Sequence, residues 1–440
     1  MMKKIIIPVF TLMALGVSAQ TYIDDALDLS NETIEGTARY RAMGGAMGAL
    51  GSDIGAAINS NPAAGAVAVR SDATATLGVN TSKWEDGNFS DSKSKFLFNE
   101  IGANLIFDNE ESDWKRFALT FGYNRLNLKD RDIQVAPLAD YTYEDVYQYT
   151  ENGTQKQYTG LFTYDGETAY IDGYTDKVAL NFSGNYKDRL FIGAGLNFYG
   201  SEKQMDQTID RTNKSEVMFN PYNNLQDQTA TGFSLAVGVI GKISEEVRVG
   251  VSYQSPIWWN VEEEFYRYEW LFNADGSKNQ GNDAGGYFEQ YDVRTPGKLT
   301  GSIGVVLAKN LALNGDVIFK DYKNVNFDNL PSYDDATQND NAEALLRNTM
   351  EYRIGGEYRI EEFKLRAGYR YKENPYKDLD TNTSTYSVGA GYNFGNFYLD
   401  ASYDYTDGSN VYYLSNRAVP LLVKHDIENS NVMVTLGYKF

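Results

Sequence analysis

From about residue 72 to the C-terminus the chain is written in stretches of roughly ten residues in which apolar and polar side chains alternate. Tyr386, Val388, Ala390, Tyr392 and Phe394 alternate with Ser387, Gly389, Gly391 and Asn393. After Gly395-Asn396, Phe397, Leu399, Ala401, Tyr403 and Tyr405 alternate with Tyr398, Asp400, Ser402 and Asp404. An apolar face opposed to a polar one, joined by a two-residue turn, predicts a β-hairpin. The same template predicts strands starting near Asp72, Lys95, Arg116, Asp176, Arg189, Ala230, Glu246, Lys298, Leu311, Glu351, Phe363, Ser384, Phe397 and Ser430. That is an even set of about 14.

The connections between these strands alternate in length. Those near Asp108, Lys187, Lys242, Lys309, Glu361 and Asn396 are short, and those near Glu85, Tyr149, Thr212, Glu269, Asp334, Pro375 and Val419 are long. Short periplasmic turns opposite long extracellular loops are the outer-membrane arrangement, whereas a soluble β-sandwich has no reason to sort its loops this way. The fold class expected is therefore all-β, a transmembrane antiparallel barrel of about 14 strands. One strand breaks phase: Phe96 and Phe98 lie on one parity, Ile101, Ala103, Leu105 and Phe107 on the other. Either a bulge near Asn99-Glu100 restores the face, or Phe96 and Phe98 lie above the membrane where parity is free.

The first residues decide the compartment. Lys3 and Lys4, the apolar run Ile5 to Val17 and the small-residue site Val17-Ser18-Ala19 read as a signal peptide over residues 1–19, with the mature chain starting at Gln20. No other stretch approaches the roughly 20 apolar residues of a transmembrane helix, so a membrane location requires a barrel. Zero cysteine excludes disulfide staples, and 34 Tyr, 22 Phe and 40 Gly favour strands and turns. A formal charge of −20 argues against nucleic-acid binding. Residues 20–70 carry no strand pattern and are rich in small residues, as in Ala42-Met43-Gly44-Gly45-Ala46-Met47-Gly48, which suits a plug, or hatch, packed inside residues 71–440. Its glycines lack the Lys-Ser/Thr of a phosphate loop. No cofactor or metal motif is present, and none is expected. Val432, Val434, Leu436, Tyr438 and Phe440 make a final apolar face ending on an aromatic, which resembles the signal that presents bacterial barrels to the barrel-assembly machinery.

The segments Ala38-Arg39-Tyr40-Arg41-Ala42-Met43-Gly44-Gly45-Ala46, Asn59-Ser60-Asn61-Pro62-Ala63 and Tyr253-Gln254-Ser255-Pro256-Ile257 resemble the FadL-type family of outer-membrane channels, its Bacteroidetes members especially. The resemblance spans essentially the mature chain. It implies a 14-stranded barrel with an N-terminal hatch and passive uptake of long-chain fatty acids or similar hydrophobic molecules. Capture would occur at extracellular loops, and exit would be sideways into outer-membrane lipid beside a kinked third strand. Asn61, Pro62 and Ala63 are the plug motif, and Gly122 is the candidate kink. The third and fourth loops would form the capture groove from Met218, Phe219, Tyr222, Trp258, Trp259, Phe265, Trp270 and Phe272; alternatives are a folded loop core and an aromatic belt at the membrane surface. Arg353, Arg366 and Arg370 are candidate contacts for a ligand carboxylate, with a lumen knitted by ion pairs as the alternative. A monomer is expected. Catalysis is not expected, because His425 is the single histidine and has no recognisable Ser or Asp partner. A haemin receptor and a general diffusion porin are the remaining alternatives.

Overall fold

The computed structural model describes residues 17–440 apart from 87–88, 110, 138–141, 152–153, 214–217, 220, 273–277, 332–333, 378, 380 and 417–418. Fourteen wall strands close into one antiparallel barrel. They are β1 (Asp72–Asp86), β2 (Phe89–Asp108), β3 (Trp114–Leu128), β4 (Thr154–Tyr186), β5 (Leu190–Asn213), β6 (Tyr222–Lys242), β7 (Val247–Gln254, resuming as Ile257–Phe272), β8 (Lys278–Thr295, resuming as Lys298–Leu307), β9 (Leu311–Lys320), β10 (Thr349–Ile360), β11 (Phe363–Lys372), β12 (Thr383–Asn393), β13 (Phe397–Asn416) and β14 (Val419–Lys439). Each pairs with its sequence neighbour, and β14 pairs with β1 from Asp72↔Lys439 to Glu85↔Asp426. Closure pairs the first wall strand with the last, so neither end of the sheet is left as a free edge.

The alternation sorts the faces as the sequence predicts. Leu399, Tyr403, Val432, Val434, Leu436 and Tyr438 are exposed on the outside, where lipid covers them, while Thr76, Asn104, Thr120, Asn181, Asn314 and Thr435 are buried in the lumen. The β1–β2 register slips between Thr76 and Leu77, which face Glu100 and Phe98, so Asn99 is the extra residue of a bulge. That bulge restores the outward face on which Phe96, Phe98 and Ile101 are exposed.

The long connections differ from expectation, because most are continuations of the strands. The segment read as a fourth extracellular loop is a hairpin, Ile257–Phe272 against Lys278–Thr295, raised above the barrel on two opposed interruptions at Ser255-Pro256 and Pro296-Gly297. Proline cannot donate to a ladder, so both strands bend at that level. Further short strands, Arg131–Val135 and Thr142–Glu151, extend β4 outward.

The N-terminal segment runs down through the lumen. Helix α1 (Val17–Ser30) lies in the extracellular half, where Tyr22, Ile23, Ala26 and Leu29 pack on Trp259, Tyr291, Phe327 and Tyr376. Two short helices follow, α2 (Ala38–Ala42) capped by Thr37 and α3 (Ile54–Asn59) capped by Asp53. Asn61 caps a 3-10 turn, Pro62–Val67, by accepting from Ala63 N at 3.0 Å, with proline at the helical start where its missing N–H costs nothing. The Asn61 amide also reaches the carbonyls of Gly48 (3.2 Å) and Val239 (3.2 Å), locking the plug to β6. Gly44 has a φ of +64° and lies so near the Tyr369 backbone that a Cβ would stand 2.9 Å from its nitrogen, so this contact requires glycine.

Candidate functional site: a window in the barrel wall and the chamber behind it

β2 and β3 pair from Asp108↔Arg116 up to Glu100↔Asn124, and there the ladder stops. Above that point β2 continues on β1 alone, to Asp86↔Phe89, and β3 continues on β4 alone, to Leu128↔Tyr174. Both strands carry a bulge at this level: Asn99 in β2, and Leu126 in β3, where the β3–β4 register slips between Arg125 and Asn127. Two extra residues turned out of opposing ladders part the strands. Higher up, ion pairs close the gap again, Lys93 to Asp132 at 2.5 Å, and Lys95 to Asp130 at 2.7 Å and Asp172 at 2.8 Å. The result is a bounded window in the wall. About eight strand residues separate it from the periplasmic end, so at roughly 3.3 Å per residue and a tilt near 40° its lower edge stands about 20 Å up, in the outer half of the apolar band. Phe96 and Phe98 flank it on the lipid side, 72 % and 44 % exposed.

The plug seals this window from inside. Thr33 donates its N–H (3.3 Å) and its hydroxyl (2.5 Å) to the carbonyl of Leu126. Two residues on, Glu35 accepts from the Asn99 amide, which also reaches the Arg125 carbonyl at 3.5 Å. Glu35 is held in turn by Arg41 at 2.5 Å, and Arg41 is clamped by Asp404 on β13 at 3.0 Å, with both members of that second pair almost fully buried. Burial raises the Glu35 carboxyl above the usual carboxylate range in spite of Arg41. Thr33 to Glu35 is therefore a latch bonded to both bulged edges.

Behind the latch lies a cavity of about 210 Å³ that touches Asn99 and Arg125 of the window, Asp24 to Glu35 of the plug, and the inner faces of β1 and β11 to β14. Above it α1 is pinned at several points: the Tyr22 hydroxyl donates to Glu289 at 2.5 Å, the Tyr376 hydroxyl donates to Asp24, Lys203 pairs with Asp25, and Arg131 pairs with Asp28 at 3.0 Å. Burial pushes the Asp24 carboxyl up to about 7, with Asp28 and Asp25 adding to the shift, whereas Lys298 and Lys320 hold Glu32 well below its ordinary value.

The residues singled out in the sequence fall in several places. Asn61, Pro62 and Ala63 lie together in the plug, Ala63 N standing where a Cβ on Gly193 would be 2.5 Å away. Gly122 sits in an unbroken stretch of ladder, opposite Gly102 and Ala179, and faces the plug's Ile58. Arg353 and Arg370 share Glu351 at 2.5 and 2.6 Å, and Arg366 bonds Glu357 at 2.8 Å and Asp400 at 2.7 Å. The aromatic set is dispersed. Trp259 is buried against Tyr199 under α1, and Trp258 faces outward beside Phe233. Tyr222 is stacked by Arg211 and Arg267, Phe265 stacks on Tyr287, Trp270 stacks on Tyr268, and Phe272 is half-buried. The side chains of Met218, Phe219 and His425 lie outside the described residues. Sequence reasoning missed Thr33, Arg125 and Leu126, although the phase break at Phe98 marked the β2 side of the window.

A closed antiparallel barrel with an apolar outer face, a polar lumen and its own N-terminal segment folded inside is a plugged outer-membrane channel. The chain belongs to the outer membrane protein transport protein family (OMPP1/FadL/TodX), whose pattern matches residues 16–440. It is thus an outer-membrane transporter of hydrophobic compounds. Solved structures with the same fold include a Pseudomonas aeruginosa FadL homologue (14 % identity, 93 % of this chain and 99 % of that one, TM-score 0.63). Others are the toluene transporters TodX of Pseudomonas putida (16 %, 93 % and 99 %, 0.56) and TbuX of Ralstonia pickettii (14 %, 92 % and 99 %, 0.55). No curated protein matches the chain.

Proposed function

We propose that the channel takes up long-chain fatty acids or similar hydrophobic molecules passively and releases them sideways into the membrane through the β2–β3 window. The carrying observation is the ladder that ends at Glu100 and Asn124 while both strands continue. An apolar molecule leaving there enters the bilayer directly, without crossing water, and so avoids re-exposing its surface at a cost of roughly 25 cal/mol per Å². The latch at Thr33 and Glu35 supplies the gate, and its few hydrogen bonds, worth about 1 kcal/mol each, suit a segment that moves when cargo arrives. TodX and TbuX are toluene transporters, which supports counting monoaromatic hydrocarbons among the candidate cargoes.

The chain has no cysteine, so a single engineered pair is unambiguous. In Glu35→Cys combined with Asn99→Cys, oxidation should cut cellular uptake of labelled oleate to the level of cells lacking the barrel, and reductant should restore it. Full uptake through the oxidised channel would eliminate lateral exit.

A further inference from the structure

The two ends of the window are built differently. Below, ladder hydrogen bonds hold β2 to β3 up to Glu100↔Asn124, so the backbones stand one strand spacing apart, about 4.8 Å, and leave no clear gap. Above, the chain beyond Leu128 continues as Arg131–Val135, which pairs with β4 from Arg131↔Ile171 to Val135↔Glu167 and not with β2. Side chains bridge the gap at that level. Lys95 Nζ lies 2.7 Å from Asp130 and 2.8 Å from Asp172, and Lys93 Nζ lies 2.5 Å from Asp132.

Lys95 spans the wall as well as the gap. The Asp130 side chain is 4 % exposed and the Asp172 side chain 62 %, so one ammonium grips a buried carboxylate and a solvated one. Lys95 shares its parity on β2 with Leu97, which is buried inside against Ala38 and Met433. The lysine therefore reaches from the inner face of β2 to the far edge of the opening. Its removal would do more than release that edge. Asp130 and Asp172 would be left near each other without the shared cation, and like charges repel.

This tie limits the width. An extended lysine and aspartate in contact hold two backbones at most about 13 Å apart, which leaves roughly 8 Å clear of the strands' own thickness. Lys95 stands five residues above Glu100, one of them the bulged Asn99, so the opening is about 13 Å tall. It is a wedge, about 8 Å wide at the top, about 4 Å halfway up and closed at the sill. An acyl chain, whose carbons approach neighbours no closer than about 4 Å, is roughly as thick as a strand spacing. One chain fits in the upper half. A second finds no room beside it, and below it the wedge is too narrow.

We infer that Lys95 is a specificity-determining residue, which by tying the upper rim restricts the window to single-chain cargo and keeps the two-chain lipids of the surrounding membrane out of the lumen. This rests on the lateral-exit reading and adds a width limit to it.

The test is cellular uptake of two radiolabelled acids, octadecanoate and 2-hexadecyloctadecanoate, which share a head group and differ in having one chain or two. In the parent protein the single-chain acid should enter at least tenfold faster. Lys95→Gln should shift that ratio about fivefold or more toward the two-chain acid, and Lys95→Arg, which keeps the cation, should retain the parental ratio. Asp172→Asn, on an exposed side chain, should shift the ratio in the same direction by less, and it carries the test if Lys95→Gln does not assemble. Equal entry of both acids in the parent, or a ratio unchanged in the assembled variants, overturns the inference, even where total uptake falls. The Glu35→Cys, Asn99→Cys background separates the two levels. Oxidation that blocks octadecanoate while the ratio ignores Lys95 removes the width limit alone, whereas oxidation that blocks neither acid removes lateral exit and the limit with it.

Discussion

Where β14 meets β1 the two ends of the sheet pair over fourteen consecutive positions without a slip, whereas β2 and β3, joined by a short turn, pair over nine and then part. Chain connectivity favours the second seam and disfavours the first, so the difference in pairing has to come from the residues. At the closing seam the ladder is knit on its lumen side, Thr76 and Thr435 sharing a hydrogen bond of 2.7 Å while Ala38 N donates to Thr435 at 2.7 Å. At the open seam two bulges face each other, and the groups they free are taken by the plug. An opening built from opposed bulges and covered by a movable segment is a local feature of an otherwise closed barrel, and it is expected to respond to perturbation where the closing seam does not.

The largest expected effect is at Arg41. Removing a guanidinium that is 1 % exposed leaves Glu35 and Asp404 as buried carboxylates without their ion-pair partner, a loss of about 3–5 kcal/mol. In Arg41→Ala, amide exchange mapped by mass spectrometry should accelerate across residues 31–41, while the β14–β1 amides stay as protected as in the parent protein. Equal deprotection of both seams would show that the barrel loosens as a whole and would dissolve the contrast between them.

How far this contrast was legible in the sequence differs by element. The wall was legible, because lipid outside and polar contacts inside impose a period of two that Tyr386 to Tyr405 display without help from distant residues. The phase break in β2 was legible for the same reason, although parity alone left a bulge at Asn99 and a strand end above the membrane as alternatives that the β1–β2 register decides. Its partner at Leu126 was not, because Thr33 satisfies it from 93 positions away. The raised hairpin was misread as loop because Ile257, Trp258, Trp259 and Val261 put apolar groups on both faces: Trp259 and Val261 pack on α1 while Trp258 stays outside. Parity placed Arg353, Arg366 and Arg370 in the lumen, but which carboxylate holds each depends on register between strands. The seat of α1 in the extracellular half had no local signal, for its partners Glu289, Lys203, Arg131 and Tyr376 are scattered over four separate parts of the chain.

A smaller effect follows from pH, and it too discriminates between the seams. Asp24 titrates near 3.8 when exposed and near 7 when α1 is seated. The seated form binds the proton more tightly, so Asp24 stabilises seating fully below pH 3.8 and loses that contribution as pH rises through 7. The raised Glu35 carboxyl acts in the same sense. Between pH 5.5 and 8.5, exchange in α1, corrected for its intrinsic pH dependence, should become faster with rising pH while the closing seam changes little. Asp24→Asn should flatten most of the α1 response. Protection of α1 that grows with pH would contradict the sign of this linkage.

The smallest effect is expected at Gly122, and it locates the opening. A Cβ there would stand 2.0 Å from Ile58 Cδ1, the free end of a plug side chain that can rotate away, and 3.6 Å from the nearest backbone atom. Gly122→Ala should therefore cost about 1 kcal/mol, at the low end of overpacking penalties, read as a slightly lower unfolding temperature. Because Gly122 lies in the paired part of the seam, opposite Gly102 and Ala179, labelled-oleate uptake should stay within about twofold of the parent. A collapse of uptake in a protein that still folds would move the exit from the bulges at Asn99 and Leu126 down to the middle of β3.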